Sequence, residues 1–279
     1  MLDEKRVLDL DIAALDAHAD VVDRILGDDL LHVTVRSVCD PASLVEINRR
    51  LDREHGRFEV SPVHPPESPD HGVQQLGSMA CPTGLQPRGP AWETYLRAAA
   101  RFREDCANLC EGLPDLENAV GSTLKALSGG RRTGIPELEE AASYSPATIR
   151  IFPAGCGAPW HRDAYPDLPV HAQLREIADL SVQLSWYLIL TAPEKGGSLA
   201  VCFNRADAEA PSVSTEALSR DEEEQLDLVR FAPRPGDLVL FAGSRYPHCV
   251  EPSHGPRARR TFGGFAAPAL DGETLYFWG

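Results

Sequence analysis

From residue 10 to 27, apolar side chains recur at helical spacing. Ile12, Leu15, Val21, Val22, Ile25 and Leu26 mark one face, and Gly27 suits a C-cap. Residues 30–35 then alternate and are β-branched, which predicts a strand. Asp40 and Pro41 supply an N-cap and a first-turn proline for a helix reaching about residue 55. Residues 57–91 break the pattern with repeated proline and glycine, as expected of a long binding loop or lid or of a disordered stretch. Helical spacing resumes at 91–110, with Tyr95, Leu96, Phe102, Cys106 and Leu109 on the apolar side. It continues at 115–127, ended by Gly129-Gly130, and in a short helix at 136–143.

Near residue 147 the period changes from helical to extended. Residues 148–152, 180–190, 198–203, 228–231, 238–241 and 259–265 are short apolar or β-branched runs. Between them lie the turns Gly155/Gly157, Glu194-Lys-Gly-Gly197 and Pro235-Gly-Asp237, while 205–226 is polar and acidic and reads as an exposed insert. Many short strands separated by glycine and proline turns suggest a sandwich or barrel such as the jelly roll. The predicted fold class is α+β: a double-stranded β-helix core of cupin-like, jelly-roll type over 147–279, with a mainly helical region, 1–146, packed on it as part of one compact domain.

Composition changes this picture little. The apolar share of 43% and charged share of 25% fit a globular protein able to bury a core. A net charge of -15 repels nucleic acid and anionic membrane, so a small-molecule substrate is the expected partner. The first residues, Met1-Leu-Asp-Glu-Lys-Arg6, lack an apolar signal core, and no apolar run reaches the ~18 residues of a membrane span, which predicts a cytoplasmic protein. The seven cysteines are irregularly spaced, as expected of reduced, half-buried thiols.

The candidate chemistry centres on Pro159-Trp-His-Arg-Asp-Ala-Tyr165. In an extended segment His161 and Asp163 project to one side and Arg162 to the other. Two imidazoles and one carboxylate on a β scaffold form the facial ligand set of non-haem Fe(II). The second imidazole would come from His248, at the end of a later strand. Taken singly, the His-x-Asp pair also fits a solvated turn, and His248 fits a turn histidine after Tyr246-Pro247. Trp160 and Tyr165 flank the ligand segment and would wall a pocket or simply pack. His171 is a rival imidazole, expected to start a short helix beyond the site, and His254 is expected in the loop after His248.

The order of the whole second half changes those odds. Strand, His-x-Asp, long apolar strand, Gly-Gly turn, strand, Pro-Gly-Asp, apolar strand, His and Arg-x-Thr together resemble the Fe(II)/2-oxoglutarate-dependent dioxygenases over about residues 147–267. That resemblance implies His161, Asp163 and His248 as metal ligands and catalytic centre, with Fe(II), 2-oxoglutarate and O2 as cofactor and co-substrates. It also implies an arginine after the distal histidine that pairs with the far carboxylate of 2-oxoglutarate. Arg257, Arg259 and Arg260 compete for that role. Arg259 shares a strand face with Thr261 and fits best, Arg257 is second on the same face, and Arg260 points the other way. Gln183, Ser185 and Tyr187 share one face of the long strand, and Gln183 or Tyr187 would reach 2-oxoglutarate. Arg150 would touch substrate or co-substrate, or form a surface ion pair.

The implied reaction is hydroxylation, or desaturation, of a small molecule such as an amino acid, a carrier-tethered residue or a natural-product intermediate, coupled to conversion of 2-oxoglutarate to succinate. Halogenases of the family carry a small residue where Asp163 stands, so this carboxylate argues for hydroxylation. A non-catalytic cupin-type metal- or ligand-binding protein is the alternative. A zinc hydrolase would call for a His-Glu-x-x-His helix, which the sequence lacks.

Overall fold

The computed structural model of the protein describes residues 6–53, 57–60, 72–79, 88–137, 142–163, 169–203 and 228–279. The chain opens with β1 (Val7–Asp11), a 3-10 helix (Ile12–His18), α1 (Val21–Leu26), β2 (His32–Arg36) and α2 (Pro41–Arg53). Then come β3 (Glu59–Val60), β4 (Gln74–Leu76), α3 (Pro90–Leu109), α4 (Leu116–Leu127) and β5 (Arg132–Gly134). The second half carries β6 (Thr148–Phe152), β7 (Ala158–His161), β8 (Leu184–Thr191), β9 (Lys195–Gly196), β10 (Leu199–Cys202) and β11 (Leu228–Phe231). It closes with β12 (Leu238–Phe241), β13 (His248–Val250), β14 (Ser253–His254), β15 (Arg259–Pro268) and β16 (Thr274–Trp278).

The major sheet runs β1-β2-β12-β8-β15-β6-β4-β3, with β16 paired to the far half of β15 and β5 beyond it. The minor sheet runs β11-β10-β13-β7. Together they make the expected double-stranded β-helix. Alternation along the central strand β8 decides what each face does. Leu184, Trp186, Leu188 and Leu190 join the main core, which they share with Leu44, Ile47 and Leu51 of α2 and Phe102, Cys106 and Leu109 of α3. The opposite face carries Ser185 and Tyr187 and lines a cavity together with residues of the minor sheet.

The Pro235-Gly-Asp turn is a structural clasp. The Asp237 carboxylate accepts from the backbone N–H of Arg234 at 2.7 Å and of Ser37 at 3.3 Å, and forms an ion pair with Arg36, which also binds Asp9. Gly236 has φ +91°, and a Cβ there would lie 2.3 Å from the Cys39 carbonyl oxygen, so glycine is required. The turn thus ties β1 and β2 to the core sheet.

Several expectations change. The helix expected from residue 10 begins as β1, because Val7–Asp11 finds a parallel partner in β2, and the helical pattern is then split at residues 19–20. The 57–91 segment contains β3 and β4, which extend the sheet beyond β6; its residues 61–71 and 80–87 lie outside the described residues. At the ends of the 136–143 span Glu137 and Ser143 pair as a bridge, closed by a Tyr144 N–H to Pro136 carbonyl bond, and the body of the expected helix, 138–141, lies outside the described residues. The first half is therefore less helical than expected, contributing β1 to β5. The acidic insert at 205–226 also lies outside the described residues. Asp40 caps α2 through the Ser43 N–H at 2.9 Å, and Asp115 caps α4 through the Asn118 N–H at 2.7 Å. Among the described residues no helix is long and apolar enough to cross a membrane.

Candidate metal centre

β7 and β13 are antiparallel neighbours, and their register sets His161 directly opposite His248. The two imidazole rings are 4.3 Å apart between centroids. Just past β7 the chain leaves the minor sheet, and the Asp163 N–H donates to the Gly243 carbonyl at 3.0 Å, turning the carboxylate toward both rings. Asp163 Oδ1 is 3.5 Å from His161 Nε2, and Asp163 Oδ2 is 3.3 Å from His248 Nε2. One ligand atom from each of the three residues lies within 4.8 Å of the others.

Each ring is also oriented from behind. His161 Nδ1 is 2.7 Å from the Pro159 carbonyl oxygen and His248 Nδ1 is 3.0 Å from that of Tyr246. A carbonyl only accepts, so Nδ1 carries the proton in both rings and the Nε2 lone pairs face the site. Burial, aided by His248, pushes His161 down to about 4, which keeps the ring neutral. Burial alone would raise the Asp163 carboxyl, but His248, His161 and the Ser185 hydroxyl outweigh it and hold the group well below the usual carboxylate range. Two imidazoles whose Nε2 atoms face the site and one ionised carboxylate are the donor set that non-haem Fe(II) takes, so the residues fit that ion.

Two supports were not legible as such. Ser185 donates to Asp163 Oδ2 from the cavity face of β8. A Cβ at Gly243 would lie 1.9 Å from Ser185 Oγ and 2.8 Å from Asp163 Oδ2, so only glycine leaves room for this contact. The signal available was the small-residue run Ala242-Gly243-Ser244 between β12 and His248.

The cavity beside the triad is lined by Arg259, Thr261, Tyr187, Arg150, Phe152 and Phe265, among others. Arg259 is 3% exposed and makes no ion pair among the described residues. Its guanidinium lies 5.2 Å from the ring centroids of both Phe152 and Tyr187. Burial pushes the Tyr187 phenol up to about 12, with Arg259 pulling the other way.

The structure thus brings His161, Asp163, His248, Arg259, Thr261, Tyr187 and Arg150 into one cavity. It leaves others out. Arg257 sits exposed ahead of β15, outside the cavity, because the paired strand that turns side chains inward begins only at Arg259. Gln183 is buried outside the cavity lining, and its amide donates to the Asp163 carbonyl at 3.1 Å, supporting the ligand segment. Arg260 turns to α2, where it meets Asn48 and Asp52. Trp160 packs with Ala200, Cys202 and Cys249 on the other side of the minor sheet. His171 is buried against Trp278, and His254 is exposed in β14. Tyr165 lies outside the described residues.

Over residues 4–279 the sequence matches the family model described as carrier-protein-independent halogenase WelO5. No curated protein sequence matches it. Among solved structures, the non-heme alpha ketoglutarate dependent epimerase SnoN from nogalamycin biosynthesis aligns at 13% identity and a TM-score of 0.53, covering 91% of this chain and 85% of its own. SnoN in complex with Fe3+, alpha ketoglutarate and nogalamycin RO aligns at 14% identity and the same TM-score, covering 91% and 83%. An N-substituted L-amino acid dioxygenase from Burkholderia ambifaria AMMD aligns at 17% identity and a TM-score of 0.48, covering 96% and 90%. At these identities the likeness to SnoN speaks for the fold alone.

Proposed function

The chain belongs to the family of the carrier-protein-independent halogenase WelO5, within the Fe(II)/2-oxoglutarate-dependent oxygenases, and from that premise we propose that it hydroxylates a small molecule, an amino acid or a natural-product intermediate. His161, Asp163 and His248 would hold Fe(II). Arg259 would take the far carboxylate of 2-oxoglutarate through a charge-assisted, two-pronged contact, with Tyr187 and Thr261 beside it. Its lack of a counter-ion among the described residues supports this reading, because a buried guanidinium without an anion is costly. Phe152, Phe241 and Val250 line the same cavity and exclude water from it. When bound, Fe(II) with 2-oxoglutarate supplies an O2-dependent oxidation in which loss of CO2, leaving succinate, accompanies insertion of one oxygen atom into a substrate C–H bond.

The observation that carries hydroxylation over halogenation is Asp163. A halogenating centre needs a metal position left free for halide. Here a carboxylate, ionised and held by Ser185, points at the site between both imidazoles.

The test is aerobic turnover with Fe(II), 2-oxoglutarate, excess bromide and pools of amino acids and apolar metabolites under 18O2. Succinate should form and the product should gain one labelled oxygen and no bromine. Brominated product, or no succinate with any pool, would overturn the reading. Asp163→Ala should lose hydroxylation.

A further inference from the structure

A second guanidinium shares the cavity with Arg259. Arg150 projects from β6, opposite Thr261 of β15 on one side and Gln75 of β4 on the other. It stands on the β6 flank of β15, whereas Tyr187 stands on the β8 flank. Arg150 is half-buried and lines the cavity. Its Nε is buried without a hydrogen-bond partner. Its Nη2–H donates to Met79 Sδ at 3.1 Å, a neutral and weak acceptor. Among the described residues no carboxylate lies within ion-pair distance. Other partly buried arginines differ: Arg36, Arg57, Arg245 and Arg260 each meet an aspartate.

Charge neutrality assigns the missing partner. Fe(II) and Arg259 bring three positive charges to the site, and Asp163 and 2-oxoglutarate bring three negative ones, so the loaded centre is neutral without Arg150. A permanently charged guanidinium left over in a partly desolvated cavity asks for one further negative charge. Beside Arg150, Thr148 Oγ1, whose hydroxyl can donate to an anion, is also buried without a hydrogen-bond partner, and by strand alternation it belongs to the same sheet face. The rest of that end is apolar: Phe265 lines the cavity and packs in a cluster with Met79, Trp92 and Trp278.

We propose that Arg150 binds a carboxylate of the substrate, so that the substrate is a singly charged acid with a largely apolar or aromatic body. The proposal rests on the oxygenase reading above and narrows its substrate class.

The test uses the Fe(II)- and 2-oxoglutarate-loaded protein under anaerobic conditions, with calorimetric titration of indole-3-acetate and 3-phenylpropanoate against their neutral primary amides. The acids should bind about tenfold or more tightly than the amides, the size of a charge-assisted contact. Arg150→Met should abolish that preference, and Arg150→Lys should retain part of it. The affinity for 2-oxoglutarate should stay unchanged in Arg150→Met and fall about tenfold or more in Arg259→Met. The proposal is overturned if neither acid binds, if acid and amide bind alike, or if the preference survives in Arg150→Met. It is equally overturned if Arg150→Met weakens 2-oxoglutarate as much as Arg259→Met does, since Arg150 would then serve the co-substrate. Failure of 2-oxoglutarate to bind the wild-type protein sinks the oxygenase reading itself, a result distinct from failure of the acids alone.

Discussion

At the scale of single residues, the centre depends on groups that never touch the metal. Asp163 is aimed by three contacts: its own N–H to Gly243, its carbonyl to Gln183 and its Oδ2 to Ser185. Removing the last should leave the carboxylate free to rotate. Ser185→Ala is therefore expected to weaken metal binding by about 10–100-fold, as loss of a ligand-orienting partner does, with little change in stability. Metal titration followed by calorimetry checks this, and unaltered affinity would mean the hydroxyl is idle. Gly243→Ala should be worse on both counts, because its methyl would sit on Ser185 Oγ. The pairing of His161 with His248 has a simple local cause. Each is the terminal residue of a short strand, and the antiparallel register sets those ends side by side.

At the scale of elements, β8 joins stability to function by alternation. Leu188 is fully buried on the helix-covered face, while Tyr187 faces the cavity. Leu188→Ala should cost about 2–5 kcal/mol in denaturant unfolding and leave the 2-oxoglutarate dissociation constant unchanged. Tyr187→Phe should do the opposite, weakening 2-oxoglutarate with little loss of stability. A variant that moved both quantities together would show that the two faces are not independent. The same alternation explains what the sequence disclosed. His161 and Asp163 were legible as a pair because ligand chemistry and strand period coincide there, and the same period places Arg259 and Thr261 together on the cavity lining. Arg259 outranked Arg257 in sequence only through its Thr261 neighbour, since both share a parity, and the start of β15 is what sets Arg259 in the cavity lining and Arg257 outside it. β1 and β5 were missed because each is a short strand paired in parallel with one reached only across intervening elements, and Val7–Asp11 runs into a helical pattern that dominates its window. Gln183 has a contact that its place in the sequence did not suggest. It precedes β8 and stands outside the cavity that Ser185 and Tyr187 line, and only the tertiary fold reveals that the Asp163 carbonyl is there to receive its amide.

At the scale of the whole molecule, a chain of net charge -15 encloses a cavity with two arginines, and its pH response is set by buried imidazoles as well as by surface acids. His32, on β2, is 1% exposed and stacks on Phe231 with 3.7 Å between ring centroids. Its Nδ1 is buried without a hydrogen-bond partner. Burial pushes its proton affinity down to about 3, and that of His161 down to about 4, from an ordinary 6.5. The unfolded chain therefore takes up protons below about pH 6.5 that the folded chain refuses. Stability is fully present above that pH and declines as pH falls from 6.5 toward the folded values. At pH 5 each such histidine costs about 2 kcal/mol relative to pH 7. Phenylalanine matches the stacked ring and removes the unsatisfied nitrogen. In metal-free protein His32→Phe should thus be at least as stable as wild type at pH 7 and should lose about half of this histidine-linked destabilisation between pH 6.5 and 5. Denaturant unfolding measured across that window decides it. An identical slope in the variant would show that His32 is protonated in the folded state after all, and that its burial does not set the acid limit of this fold.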